Sequence, residues 1–214
     1  MSALFRRRAN FVFRLVLLAV AVAGAGVLGG LMIYARVPAG NRQFEEVVQP
    51  VQFDHRHHVA DDGIDCRYCH QGVERGASAG IPSTALCMNC HAQIWNKSPK
   101  LEPVRESYFT GKPIPWVRVH QVPDFVYFNH AIHVNKGVGC ETCHGRVDKM
   151  GAVYQFAPLT MGWCIDCHRD PAPNLRPQEA ITAMGWTPDR PGLGQELHEK
   201  YKVHSRTSCT TCHR

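Results

Sequence analysis

Phe128-Asn129-His130-Ala131-Ile132-His133-Val134, followed six residues on by Cys140-Glu141-Thr142-Cys143-His144, decides how this chain is read. The same arrangement stands earlier, as Phe53-Asp54-His55-Arg56-His57-His58-Val59 and then Cys66-Arg67-Tyr68-Cys69-His70. Each unit reads F-x-H-x-x-H-V ahead of C-x-x-C-H. Cys66 follows His55 by 11 residues and Cys140 follows His130 by 10. A further C-x-x-C-H begins 21 or 24 residues later, as Cys87-Met88-Asn89-Cys90-His91 and Cys164-Ile165-Asp166-Cys167-His168. Cys209-Thr210-Thr211-Cys212-His213 stands alone at the C-terminus, and these five pairs use all ten cysteines.

C-x-x-C-H is the attachment motif of c-type haem: two thiols form thioethers to the porphyrin and the next histidine binds the iron. The pattern therefore predicts five covalent haems, on Cys66 and Cys69, Cys87 and Cys90, Cys140 and Cys143, Cys164 and Cys167, and Cys209 and Cys212. Their proximal ligands are His70, His91, His144, His168 and His213. Zinc is the rival, since 17 residues separate Cys69 from Cys87 and 20 separate Cys143 from Cys164, both within the zinc-ribbon range. Zinc explains neither the histidine after every pair nor the unmated fifth pair. Disulfides between such near neighbours would be strained and would close little loop entropy.

Eight histidines lie outside the motifs, enough to give every iron a second axial ligand. Within each F-x-H-x-x-H the histidines fall at i and i+3, on one face of a helical turn. His55, His58, His130 and His133 are therefore the expected distal ligands, and His57 is not. For the fifth iron the candidates are His120, Met161 and His204. A methionine there would raise the potential relative to a second histidine. Saturated irons favour electron transfer over substrate chemistry at an open coordination position.

Residues 15 to 35 form a stretch of 21 residues without a charge, long enough to cross a hydrocarbon core about 30 Å thick. Arg6, Arg7 and Arg8 precede it, which places the N-terminus in the cytoplasm and the haem domain on the periplasmic side of a bacterial inner membrane. A cleaved secretory signal is the alternative, given the A-x-A sites at 19–21 and 21–23. Gly26 and Gly30, and Ala21, Ala25 and Gly29, offer small-residue faces to a neighbouring helix. The formal charge of +6 includes five arginines within residues 1 to 36, where there is no acid, so the remainder is nearly neutral and gives no reason to expect nucleic acid.

The domain reading is 1–36 basic terminus and membrane anchor, 37–52 connector, 53–127 first two-haem module with a Pro-rich loop, and 128–214 second two-haem module with the fifth haem. Two proline-rich stretches, 92–127 and 169–194, read as wrapping loops in which Trp116, Phe125, Tyr127 and Trp186 offer aromatic surface. About 178 residues carrying five haems leave little chain for a conventional core. The expected fold is mostly irregular, with short α-helices around the haems and one N-terminal transmembrane helix.

Residues 53 to 168 resemble the small multihaem cytochromes of the c3/c7 type. Pro113-Ile114-Pro115-Trp116-Val117-Arg118-Val119-His120, continuing through Pro123-Asp124-Phe125-Val126-Tyr127-Phe128-Asn129-His130, is similar to the pentahaem cytochrome subunit of alternative complex III. That resemblance implies an electron-transfer subunit, not catalytic alone, relaying electrons from quinol oxidation toward a periplasmic carrier or an oxidase. It also implies integral-membrane quinol-binding subunits, an iron-sulfur subunit and a monohaem cytochrome as partners. A single-helix quinol dehydrogenase of the NapC/NrfH kind is the alternative, although such proteins usually carry four haems and lack the duplicated F-x-H-x-x-H. A multihaem oxyanion reductase would need an open iron and often an altered motif, and none of the five motifs is altered.

Overall fold

The computed structural model describes Arg6 and residues 8–213; Arg7, part of the basic cluster, lies outside the described residues. The chain divides into two units, Met1–Arg42 and Gln43–Arg214. In the first, α1 (Ala9–Tyr34) is one apolar helix of 26 residues with no buried residue. At 1.5 Å per residue it is about 39 Å long, enough to cross a bilayer core. Arg36 closes it by donating from Nη1 to the Met32 carbonyl at 2.7 Å, a cation at the negative end of the helix dipole. Pro38 then starts the single turn α2 (Pro38–Asn41), which stops at Arg42 in the left-handed region.

The second unit is built from short helices joined by irregular chain. Each C-x-x-C pair lies on a short helix: α3 (Cys66–Cys69), α4 (Thr84–His91), α7 (Cys140–His144), α8 (Met161–Arg169) and α10 (Cys209–Cys212). Between them lie α5 (Glu102–Thr110), α6 (His130–Asn135) and α9 (Leu193–Lys200). Local polar residues set the starts. The Asp65 carboxylate accepts from the Arg67 N–H at 2.8 Å and Thr160 Oγ1 from the Trp163 N–H at 3.4 Å, N-caps that fix where α3 and α8 begin. Gly145, at φ +67°, ends α7 immediately after His144, and a Cβ there would sit 2.6 Å from the Phe156 ring. Among the described residues no sheet forms; the pairings are isolated bridges, Gln43 with Gln155 and Val138 with Leu175.

The F-x-H-x-x-H repeats are placed alike. His130 opens α6, capped by Asn129. His55 stands at the N-terminus of a wider π-helical turn over Arg56–Asp61. In both, the phenylalanine stacks on the second histidine and meets the first edge-on. Phe53 lies 4.3 Å from His58 at 26° and 4.7 Å from His55 at 80°, and Phe128 lies 4.7 Å from His133 at 24° and 4.7 Å from His130 at 87°. Two sequence-distant segments thus reproduce one local packing. The π-type turn accommodates the one extra residue between His55 and Cys66, while His57, at the position of Ile132, is exposed, reaches Asp61 and Asp62 at 3.5 Å and meets the His58 ring edge-on at 5.4 Å.

The apolar core is small. Leu175, Leu193 and Leu197 are buried together, with Val138, Trp186, Tyr201 and Val203 packed against them. Among the described residues no large side chain is fully buried, so the polypeptide alone provides only a fraction of the packing that a domain of this size needs. Arg176 borders this cluster, with its guanidinium 5.4 Å from the Trp186 ring, so Trp186 serves the protein core.

Candidate haem-binding sites

The ring nitrogens of the predicted ligands reveal their tautomers. A carbonyl oxygen only accepts, so a histidine whose Nδ1 faces one must carry its proton there and leave the Nε2 lone pair free for a metal. His70 Nδ1 donates to the Gly80 carbonyl at 2.7 Å, His91 to Ile94 at 3.0 Å, His168 to Arg206 at 2.9 Å and His213 to Phe125 at 3.1 Å. The same holds for three of the predicted distal set. His58 donates to Asp54 at 2.9 Å, His130 to Ala77 at 2.8 Å and His133 to Asn129 at 2.8 Å. Such outer partners orient metal-ligating imidazoles and raise their basicity. His144 differs, its Nδ1 lying 3.2 Å from His120 Nε2.

Proximal and distal rings are brought together in pairs. A metal–imidazole bond of about 2 Å on each side places two trans rings about 6 Å apart between centroids. His58 and His91 are separated by 6.2 Å, His130 and His144 by 6.3 Å, and His133 and His168 by 6.0 Å. In each repeat the second histidine faces the later of the two motifs, and in the second repeat the first histidine faces the earlier. For His55 the neighbouring proximal ring is His70, and its buried Nδ1 has no hydrogen-bond partner.

Burial favours the neutral form of His55, His120, His133 and His144. It lowers His55 to about 4, with help from His70, and His144 to about 3, with help from His120 and His130. It also lowers His133, and brings His120 down to about 4. A neutral imidazole is the form that binds iron.

The cysteines show which motifs are neighbours. Cys66 and Cys140 are electrostatic neighbours: the Cys140 side chain pushes the Cys66 thiol up, and Cys66 draws Cys140 down. Burial and then Cys87 raise Cys69; burial and then Cys167 and Cys164 raise Cys143 to about 12; burial and then Cys212 raise Cys164. Tyr68 and Asn89 add a 3.5 Å contact between the first two motifs. A 3.5 Å contact joins the second motif to the first, and electrostatic proximity of the thiols sets the first beside the third, the third beside the fourth and the fourth beside the fifth.

These features fit a large apolar group with a central metal: rings paired at the trans distance, a partnerless buried His55 Nδ1, and aromatic surface beside the ligands. Phe125, 5.7 Å from His213, is 63 % exposed, and Tyr127 is 53 % exposed. Among the described residues no group of three or more His, Cys, Asp or Glu is arranged to hold a bare metal ion, so the C-x-x-C pairs do not converge as a zinc ribbon needs.

The remaining fifth-ligand candidates are placed differently. Met161 is exposed at the first position of α8, one turn before Cys164. His204 is exposed, two residues before the Arg206 carbonyl that holds His168. Among the described residues, the only ring in contact with His213 is Phe125.

Sequence reasoning missed the seven carbonyl acceptors and Arg176. A carbonyl belongs to every residue type and carries no signature in the sequence.

Paired imidazoles over C-x-x-C-H turns, with no sheet among the described residues, define the class: the chain is a multihaem c-type cytochrome with c3/c7-like domains, and its cofactor is covalently bound c-type haem. Residues 126–214 match the family described as cytochrome c7 and related cytochrome c, and residues 32–110 match the class III cytochrome c family. Over 130 residues the chain is 35% identical to the multihaem cytochrome c subunit of menaquinone reductase from Nitratidesulfovibrio vulgaris, covering 60% of this chain and 55% of that protein. The chain thus spans about half the length of the curated relative it matches.

Proposed function

We propose that this chain is a five-haem electron-relay subunit of a membrane complex of the alternative complex III type, linking quinol oxidation to a periplasmic carrier or oxidase. The observation that carries the proposal is the set of imidazole pairs facing each other at about 6 Å, His58 with His91, His130 with His144 and His133 with His168, in motifs whose thiols neighbour one another in a row. The haems supply one-electron transfer. The chain's own residues hold them: ten cysteines by thioethers, His70, His91, His144, His168 and His213 as proximal ligands, and His55, His58, His130 and His133 as distal ligands. The row of contacts begins at the second motif and ends at the fifth, so these are the ends at which partners exchange electrons. Residues 53–127 carry the first two-haem module and its Pro-rich loop, and residues 128–214 the second two-haem module with the fifth haem. The apolar helix anchors the chain with its N-terminus in the cytoplasm and its haem domain in the periplasm, beside membrane lipid and the integral-membrane quinol-binding subunits.

For the fifth iron we assign Met161 as distal ligand. It precedes Cys164 by one helical turn on the same face of α8, and Cys164 is the thiol that neighbours Cys212 of the fifth motif. Methionine ligation raises that haem's potential above those of the bis-histidine sites. Met161→Leu is expected to abolish a methionine-to-iron charge-transfer band in the near infrared, leaving the haem count unchanged. Loss of one low-spin signal in His204→Ala instead would transfer the role to His204.

The relative's name supports a second reading, in which electrons run toward menaquinone. Purification in mild detergent with the iron-sulfur, quinol-binding and monohaem cytochrome partners decides between them. Quinol-driven haem reduction in that complex supports the first reading, and quinone reduction from pre-reduced haems without quinol oxidation supports the second. Rapid quinol oxidation by the isolated chain would make it a NapC/NrfH-like dehydrogenase.

A further inference from the structure

His144 departs from the rule that the other motif histidines obey. His70, His91, His168 and His213 all place Nδ1 on a backbone carbonyl, a weak acceptor that no substitution removes. His144 places it on a side chain, 3.2 Å from His120 Nε2, with the ring centroids 4.2 Å apart at 69°. If Nε2 of His144 faces iron, its Nδ1 carries the proton and donates to the lone pair of His120 Nε2. An imidazole nitrogen is a much more basic acceptor than an amide oxygen, so this bond draws His144 further toward imidazolate than its four counterparts.

The loop that carries His120 is fixed from two sides. Gln49 pairs with Val117 in both directions, its Nε2 donating to the Val117 carbonyl and its Oε1 accepting the Val117 N–H, each at 2.9 Å. The N–H of Gln121, the residue after His120, donates to Gln155 Oε1 at 3.3 Å, and Arg118 Nε donates to the His120 carbonyl at 3.3 Å. The imidazole is therefore presented to His144 by a scaffold that does not depend on the ring contact. On the other side of His144 the His130 ring stands 6.3 Å away and nearly parallel, at the trans distance. His144 thus has one imidazole at ligand spacing and a second one at hydrogen-bond spacing, in separate places.

We propose that His120 is a positioning residue for the third attachment site: by accepting the His144 Nδ1 proton it orients that imidazole and lowers the reduction potential of the haem His144 ligates. Hydrogen bonding at the outer nitrogen of an axial ligand is one of the levers by which a protein sets a haem potential. The third motif lies in the middle of the row, so the effect would fall where electrons pass between the two modules. The inference rests on His144 being a proximal ligand, as proposed above.

The test uses the full-length, haem-loaded protein, with a spectroscopic redox titration and low-temperature EPR on wild type, His120→Leu and His120→Gln. Leucine removes the acceptor. It is expected to raise one of the five midpoints by about 59 mV, a tenfold change in a one-electron equilibrium, with every haem still low-spin. Glutamine restores a carbonyl acceptor of the kind the other four sites use, and is expected to bring the midpoint partway back. Its similar size gives a loaded protein for comparison if the leucine variant fails to mature. An unchanged set of midpoints overturns the proposal, as does an equal shift in both variants, which marks a packing effect. A haem converted to high spin would make His120 an axial ligand instead. Failure of the underlying reading looks different: a wild-type haemochrome content below five per chain.

Discussion

His144→Ala is expected to cost the chain one haem and to split the relay in two. The substitution removes the proposed proximal ligand of the third motif, whose Cys140 neighbours Cys66 of the first motif and whose Cys143 neighbours Cys164 and Cys167 of the fourth. No other contact described between the motifs joins the first pair to the last two. Haemochrome content falls by one per chain, from five to four on the proposed reading. Electron passage from the second motif to the fifth falls by at least about 100-fold, more than loss of an outer-shell partner typically costs a metal site. Rapid-mixing reduction with a small donor would show two populations, one on each side of the break. His91→Ala is the control: it also removes one haem, but at an end of the row, so the other four stay connected and reduce together. A His144→Ala protein whose four haems still equilibrate in a single fast phase would show that the row is branched.

Arg176→Met is expected to lower stability by about 3–5 kcal/mol, the cost of breaking a buried ion pair by removing one partner. The Arg176 side chain is only 9 % exposed, and it ties the third motif to the small apolar core. Its Nη2 donates to Glu141 Oε2 at 3.3 Å and its Nη1 to the Ala183 carbonyl at 2.8 Å, while its backbone N–H donates to Gly137 at 2.7 Å. Glu141 is the second residue of Cys140-Glu141-Thr142-Cys143-His144 and also accepts from the Gly185 N–H at 2.7 Å. Methionine fills much of the volume but leaves that carboxylate with one strong donor fewer. For a chain of this size the loss corresponds to about 6–20 °C in Tm. Adding Glu141→Gln should return part of it, because the neutral amide no longer needs the cation. A change below about 1 kcal/mol, within the range of an exposed pair, would mean that solvent replaces the arginine. Gly139 explains why the arginine fits: a Cβ there would lie 2.3 Å from Arg176 Nε.

The chemistry was legible because covalent haem attachment demands a local pattern. Two thiols and an imidazole must reach one porphyrin from a single turn of chain, so the motif at Cys66 to His70 and its four counterparts can be read as candidate attachment sites without tertiary information. The i, i+3 spacing of His130 and His133 was likewise a local statement, and the two repeats adopt the same packing of phenylalanine on histidine. The absence of a sheet among the described residues, and the single long apolar helix, follow from composition and run length. Trp186 was less legible: an aromatic in a proline-rich loop suits a porphyrin face or a core, and Arg176 together with Leu175, Leu193 and Leu197 draws it to the core.

The sequence by itself determined the class of cofactor, the C-x-x-C-H motifs, the repeated F-x-H-x-x-H segments and the apolar segment, all of which depend on groups a few residues apart. Only the tertiary structure decided the facing of His58 to His91, His130 to His144 and His133 to His168, the order in which the motifs touch, and the meeting of His120 with His144. Those relations join residues tens of positions apart through backbone carbonyls and shared packing. Side-chain identity along the chain carries no record of them until the irregular loops have closed.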